Sequence, residues 1–296
     1  MRPALKRWLH IIGGGFGLLG VVFVVMRLNT YAEQIDLTRF DTTAWSLIGL
    51  FALVYGSANV LLAQAWWHLL AFFDVEVERR WAVKAYGLSQ LAKYVPGNIF
   101  HLAGRQALGM AAGLPARALA KSSLWELGLI AAAGALFGCL AAPLVWPELP
   151  DYASAGAFGA TFMGSVIALH RLLSPSVSAA LLWQIIFLAI SGAVFVGVLV
   201  LVTPAFITLS AFSALCGAYV IAWLAGLVTP GAPAGVGVRE LVLLFLLKGA
   251  VAEADLLLAI VLGRMVTVAG DLLYFTLSGF ISTASFDVNY GDRIEK

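Results

Sequence analysis

The sequence predicts an all-α, polytopic integral membrane protein. Three observations carry this. Of 296 residues, 61% are hydrophobic and 11% charged, with a mean hydropathy of +0.95, whereas soluble domains carry about 25% charge. Apolar runs long enough to cross a bilayer, about 20 residues, recur along the chain. The few ionisable groups inside apolar zones gather around two helix-breaking stretches.

Six runs read as clean spans: 9–26, 44–73, 123–146, 152–170, 179–202 and 252–280. The first follows Arg2, Lys6 and Arg7 like a signal peptide. It is long enough to span and no A-x-A cleavage site follows, so it is read as an uncleaved helix. Two further zones, 81–113 and 210–250, are interrupted at Pro96-Gly97 and at 229–237. Proline removes a backbone donor and glycine tolerates unusual dihedrals, so helices should break there. Re-entrant hairpins at both zones give six crossings; a span and a half from each gives about eight helices.

Charge favours the re-entrant arrangement. It gathers Arg2, Lys6, Arg7, Arg79, Arg80, Lys84, Arg117, Lys121, Arg171, Arg293 and Lys296 on one side, leaving Arg27, Arg39 and Lys248 on the other. Cytoplasmic loops favour Lys and Arg, so both termini are expected in the cytoplasm. Lys248 fits least well.

The two breaks share a skeleton. Pro96-Gly97 is followed by Arg105 and Pro230-Gly231 by Arg239, each arginine nine residues after its proline. With three crossings per half, residues 1–150 and 151–296 form an inverted repeat within one transmembrane domain, a recurring transporter plan.

A charge within a membrane costs commonly about 2.5–3.5 kcal/mol on insertion scales and marks function by default. Such groups here are Lys93, Arg105, Glu126, Arg239, Glu240, Arg264 and Asp271. Arginines in segments that restart a helix suit a phosphate or carboxylate, because free N–H groups and a guanidinium fork point the same way. Gly97, Gly104, Gly231, Gly235 and Gly237 would let backbone approach a ligand, and Tyr94, Asn98 and His101 could touch a headgroup. The expected substrate-binding set is therefore Lys93, Tyr94, Pro96, Gly97, Asn98, His101, Arg105, Pro230, Gly231, Gly235, Gly237, Arg239 and Glu240. Glu126 shares a helical stripe with Ser122 and Ser123, and Arg264 with Thr267 and Asp271. Glu126, Arg264 and Asp271 are expected in gating or ion-pair roles, with Glu126 facing Arg264 or Arg239. Trp66, Trp67 and His68 read as part of an aromatic belt.

Cys139 and Cys216 lie in separate apolar runs with no metal-ligand spacing. The chain has no G-x-S-x-G, H-E-x-x-H or Walker loop and no nucleic-acid motif. No cofactor, metal, nucleic-acid partner or catalytic residue is expected.

The stretches LSQLAKYVPGNIFHLAGRQALG and TPGAPAGVGVREL resemble the flippase-like transmembrane region of lysylphosphatidylglycerol synthetases. The matching residues are Ser89, Gln90, Lys93, Tyr94, Pro96, Gly97, Gly104, Arg105, Pro233, Gly235, Gly237, Arg239 and Glu240. Glu126 and Arg264 are similar to charged positions in the following helices of that family. The resemblance implies a lipid flippase of a bacterial inner membrane. About 16 residues follow the last helix, too few for the aminoacyl-transferase domain of the synthetases. The expected cargo is a lipid with an anionic headgroup, such as a modified phospholipid or a polyprenyl-phosphate-linked sugar. A partner glycosyltransferase or lipid-modifying enzyme is also implied, with oligomerisation left open. A membrane-embedded transferase using Glu126, Asp271 or His101 as base, and a non-catalytic partner of such an enzyme, are the alternatives.

Overall fold

The computed structural model describes residues 40–95, 99–203, 208–229, 235 and 237–283, with isolated positions 22, 26 and 30. The expected first span, 9–26, lies almost wholly outside the described residues. Within them the chain is helical, without a strand. The elements are α1 (Thr42–Phe72), α2 (Arg79–Gln90) running into a 3-10 turn (Leu91–Tyr94), α3 (Phe100–Ala111), α4 (Ala116–Leu136), α5 (Gly138–Val145), α6 (Asp151–Leu172), α7 (Pro175–Val202), α8 (Leu209–Val228), α9 (Val238–Leu246) and α10 (Glu253–Gly279).

Local chemistry sets several boundaries. Asp41 caps α1 by accepting from the Ala44 N–H at 2.8 Å. Ser174 does the same for α7 from Ser176, with Pro175 at the first helical position. Thr208 caps α8 from Ala211. Pro143 lies inside α5 and cannot donate to the carbonyl four residues back, which belongs to Cys139. The Ser154 hydroxyl donates to that carbonyl at 2.5 Å and ties α6 to α5.

Among the described residues six helices are long and apolar enough to cross a membrane: Thr42–Phe72, Ala116–Val145, Asp151–Leu172, Pro175–Val202, Leu209–Val228 and Glu253–Gly279. Five correspond to runs read from the sequence. The sixth, Leu209–Val228, is the first limb of the second interrupted zone, and there it fits a span and a half rather than a re-entrant hairpin. Its 20 residues are capped at the start and uninterrupted until Thr229, so the first limb alone is about 30 Å long. In the first broken zone α2 and α3 have 12 residues each, about 18 Å, and neither alone crosses a core of about 30 Å.

The helix α7 runs through the centre, buried along most of its length, and packs along α1. Several of the other contacts pair up when the halves are exchanged, while those of α5 with α8 and of α6 with α5 and α7 have no counterpart among the described residues. α10 packs on α1 as α4 packs on α7, and α10 on α2 as α4 on α8. Likewise α1 contacts α2 and α4, while α7 contacts α8 and α10; α3 lies against α2 and α4, and α9 against α8 and α10.

Close helix crossings depend on glycine. A Cβ on Gly56 of α1 would sit 2.8 Å from the Gly270 carbonyl oxygen, and one on Gly270 of α10 would sit 2.7 Å from the Ala52 carbonyl oxygen. Small residues that let backbones meet are the usual device where lipid removes the hydrophobic drive between helices.

Trp66 corrects the aromatic-belt expectation. It is fully buried and donates its indole N–H to the Ser122 hydroxyl of α4 at 3.1 Å. Its i+1 and i+2 neighbours, Trp67 and His68, turn toward the half-buried side of α1.

Candidate functional site

The residues on either side of the two breaks line one cavity of about 100 Å³. A single water needs roughly 10–15 Å³ on this kind of measure, so there is room for several waters or one small polar group. Lys93, Tyr94, His101, Arg105, Glu126, Arg239 and Arg264, all singled out from the sequence, line it. Pro96, Gly97, Asn98, Pro230 and Gly231 lie outside the described residues.

Three ion pairs organise the walls. Arg105 sits in the middle of α3 and is 2% exposed. Its Nη1 donates to Glu126 Oε2 of α4 at 2.8 Å. The guanidinium also lies 4.2 Å from the Tyr86 ring centroid and 5.2 Å from that of Trp66. Tyr86 donates its hydroxyl to the other Glu126 oxygen at 2.8 Å. Gln184 of α7 donates to the Glu126 backbone carbonyl at 3.1 Å. The expected pairing of Glu126 with Arg264 or Arg239 is thereby corrected: α3 folds back beside α4 and delivers Arg105 first.

In the second half the charges are exchanged. Glu240, in the first turn of α9, accepts from Arg264 of α10 at 2.9 Å. Arg264 Nη2 also donates to the Gly235 carbonyl at 3.2 Å. Gly235 has a φ of +72°, a backbone that L side chains rarely adopt. Its Cα faces Gly226 so closely that a Cβ on Gly235 would lie 2.8 Å from the Gly226 Cα and 2.9 Å from Arg239 Nε. Gly237, φ +86°, starts α9 without a side-chain cap.

The third pair crosses between the halves. Asp271 of α10 is completely buried. It takes the Lys93 ammonium at 2.7 Å and the Tyr94 hydroxyl at 2.5 Å on Oδ2. Its Oδ1 accepts from Asn59 at 3.2 Å and Gln90 at 3.3 Å. A carboxylate offers about four lone-pair positions, and four donors occupy them. The backs of these residues are tied as well, since Gln90 also donates to Asn59 Oδ1 at 3.0 Å.

Arg239 differs from the other three cations. It lies in the first turn of α9 and has no carboxylate within ion-pair distance among the described residues. Its Nε is buried without a hydrogen-bond partner there, and its guanidinium lies 5.8 Å from the Trp223 ring centroid. His101 Nδ1 is likewise buried and unpartnered among the described residues. The two arginines at matching sequence positions therefore do different work: Arg105 is locked within a wall, and Arg239 faces the cavity with its charge uncompensated.

Sequence reasoning passed over Tyr55, Tyr86, Asn59 and Trp223, and it named Gln90 only for its place in the first motif. Asn59 and Gln90 carried a usable signal, because an amide in an apolar helix needs partners as an ion does. The aromatic residues carried none beyond ordinary packing. Among the described residues no three His, Cys, Asp or Glu side chains gather where they could hold a metal ion. No family model, curated protein or solved structure matches the chain.

Proposed function

We propose that the protein binds the anionic headgroup of a lipid in this cavity and moves that lipid across a bacterial inner membrane. One observation carries the reading: four cations, Lys93, Arg105, Arg239 and Arg264, face three carboxylates, Glu126, Glu240 and Asp271, and the unmatched cation borders the cavity. An uncompensated charge at membrane depth is costly, and an arriving anion removes that cost. Arg239 also lies in the first turn of α9, which has no side-chain cap and whose leading N–H groups lack partners within the helix, a usual setting for a phosphate.

The cavity takes a headgroup, and the acyl chains stay in the bilayer. Carrying a polar group through hydrocarbon is slow because desolvation is expensive; a polar cavity between helices lowers that barrier. The pairwise exchange of contacts between halves supports a repeat whose units rock about the site, as transporters with inverted repeats do. The resemblance to the flippase-like region of lysylphosphatidylglycerol synthetases points the same way. Modified phospholipids and polyprenyl-phosphate-linked sugars both present a suitable headgroup.

The test is transbilayer movement of labelled anionic lipid in vesicles carrying wild type or Arg239→Gln. Losing one charge-assisted contact should slow transfer by on the order of tenfold or more. An unchanged rate would remove the basis for the reading.

A further inference from the structure

We infer that Asp271 sets the charge the cavity accepts: by holding Lys93, it leaves Arg239 as the single uncompensated cation among the described residues that line it, and selects a group with one negative charge, a phosphate diester, over groups with two. This rests on the anion-binding reading above and names its substrate class.

The geometry behind it is specific. Lys93 lines the cavity and its side chain is 20% exposed, while Asp271 is fully buried behind it. The ammonium is 2.7 Å from Asp271 Oδ2. Tyr94, Asn59 and Gln90 fix the carboxylate from the remaining directions, so it stays in place as a counter-charge. Arg105 and Arg264 are balanced by Glu126 and Glu240. Among the described residues no further Asp, Glu, Lys or Arg lines the cavity. A diester phosphate neutralises the site. A phosphate monoester or diphosphate brings a second negative charge with no free cation to meet it, and an unpaired charge in a low-dielectric site is strongly penalised. The small cavity agrees, since it has room for one phosphate-sized group.

Asp271→Asn keeps the shape, and its oxygen can still accept from Asn59 and Gln90, but its NH2 cannot hold the ammonium and so releases Lys93 as a second free cation. Binding of phosphatidylglycerol, a diester, and phosphatidic acid, a monoester, would be measured in nanodiscs of zwitterionic lipid. The pH would be about 8, where a monoester carries close to two charges. Wild type should favour phosphatidylglycerol. Asp271→Asn should shift the ratio toward phosphatidic acid by about tenfold, the worth of one charge-assisted contact. The charge-neutral double substitution Lys93→Gln/Asp271→Asn should bring the ratio back toward wild type.

A wild-type preference for phosphatidic acid overturns the inference. So does a ratio unchanged in Asp271→Asn, or a double variant that keeps the shifted ratio. If Asp271→Asn does not fold, the wild-type and double-variant ratios still decide. Arg239→Gln separates the two claims: if it binds both lipids as well as wild type does, the anion-binding reading itself fails. Displacement of lipid by equimolar inorganic phosphate would identify a soluble-anion site and overturn the lipid assignment.

Discussion

Glu126→Gln is expected to cost about 3–5 kcal/mol of stability, the usual result of stranding one member of a buried ion pair. Arg105 is 2% exposed and Glu126 supplies its carboxylate partner at 2.8 Å. Tyr86 bonds the same carboxylate. The neutral amide would leave a guanidinium packed against the Tyr86 and Trp66 rings with no counter-charge. The loss should appear as earlier thermal unfolding in detergent. Replacing both partners with apolar residues of similar volume should recover much of it, since the penalty comes from the uncompensated charge. A single-variant loss below about 1 kcal/mol, the scale of an exposed pair, would contradict the structural role given to Arg105.

Gly270→Leu is the second large effect. A Cβ at this position would lie 2.7 Å from the Ala52 carbonyl oxygen and 2.9 Å from the Gly56 nitrogen. Backbone on the facing helix cannot swing aside as a side chain would, so α1 and α10 must separate. Overpacking commonly costs about 1–3 kcal/mol, and this site should fall at or above the top of that range. The separation would also pull Asp271, the next residue on α10, away from Asn59 of α1. Reduced thermal stability with loss of lipid binding is the expected outcome. Gly128→Leu is the control, because a Cβ there meets nothing within 4 Å. Equal losses at the two positions would contradict the close-crossing argument.

Much of the architecture was legible because membrane chemistry leaves few choices. Long apolar runs must be helices, since every backbone polar group needs an internal partner. Five of the described spans follow from that alone. The sixth, Leu209–Val228, was obscured by the Pro- and Gly-rich stretch after it, which made the whole zone read as broken. Only the tertiary fold shows that the break begins after a complete span. The charged residues were legible as a group for the same energetic reason, and Lys93, Arg105, Glu126, Arg239 and Arg264 do converge on one cavity.

Their separate roles were not legible. Arg105 and Arg239 occupy equivalent places in the two P-G motifs, so spacing alone assigns them the same task. The difference arises from neighbours far along the chain. Glu126 reaches Arg105, whereas Glu240, adjacent to Arg239 in sequence, points to Arg264 instead. Side chains at consecutive helical positions face about 100° apart, which is why neighbours in sequence can serve different partners. Trp66 was misjudged for a similar reason. A tryptophan near a helix end suits an interface, and only the arrival of Ser122 and Arg105 makes this one an interior residue.

Native mass spectrometry of the protein in mild detergent, wild type beside Arg239→Gln, tests the central claim most directly. The account predicts that wild type retains a phosphate-bearing lipid and that the variant, equally folded, retains none above background. The same lipid mixture on both proteins, or no lipid on either, would contradict a headgroup site at Arg239.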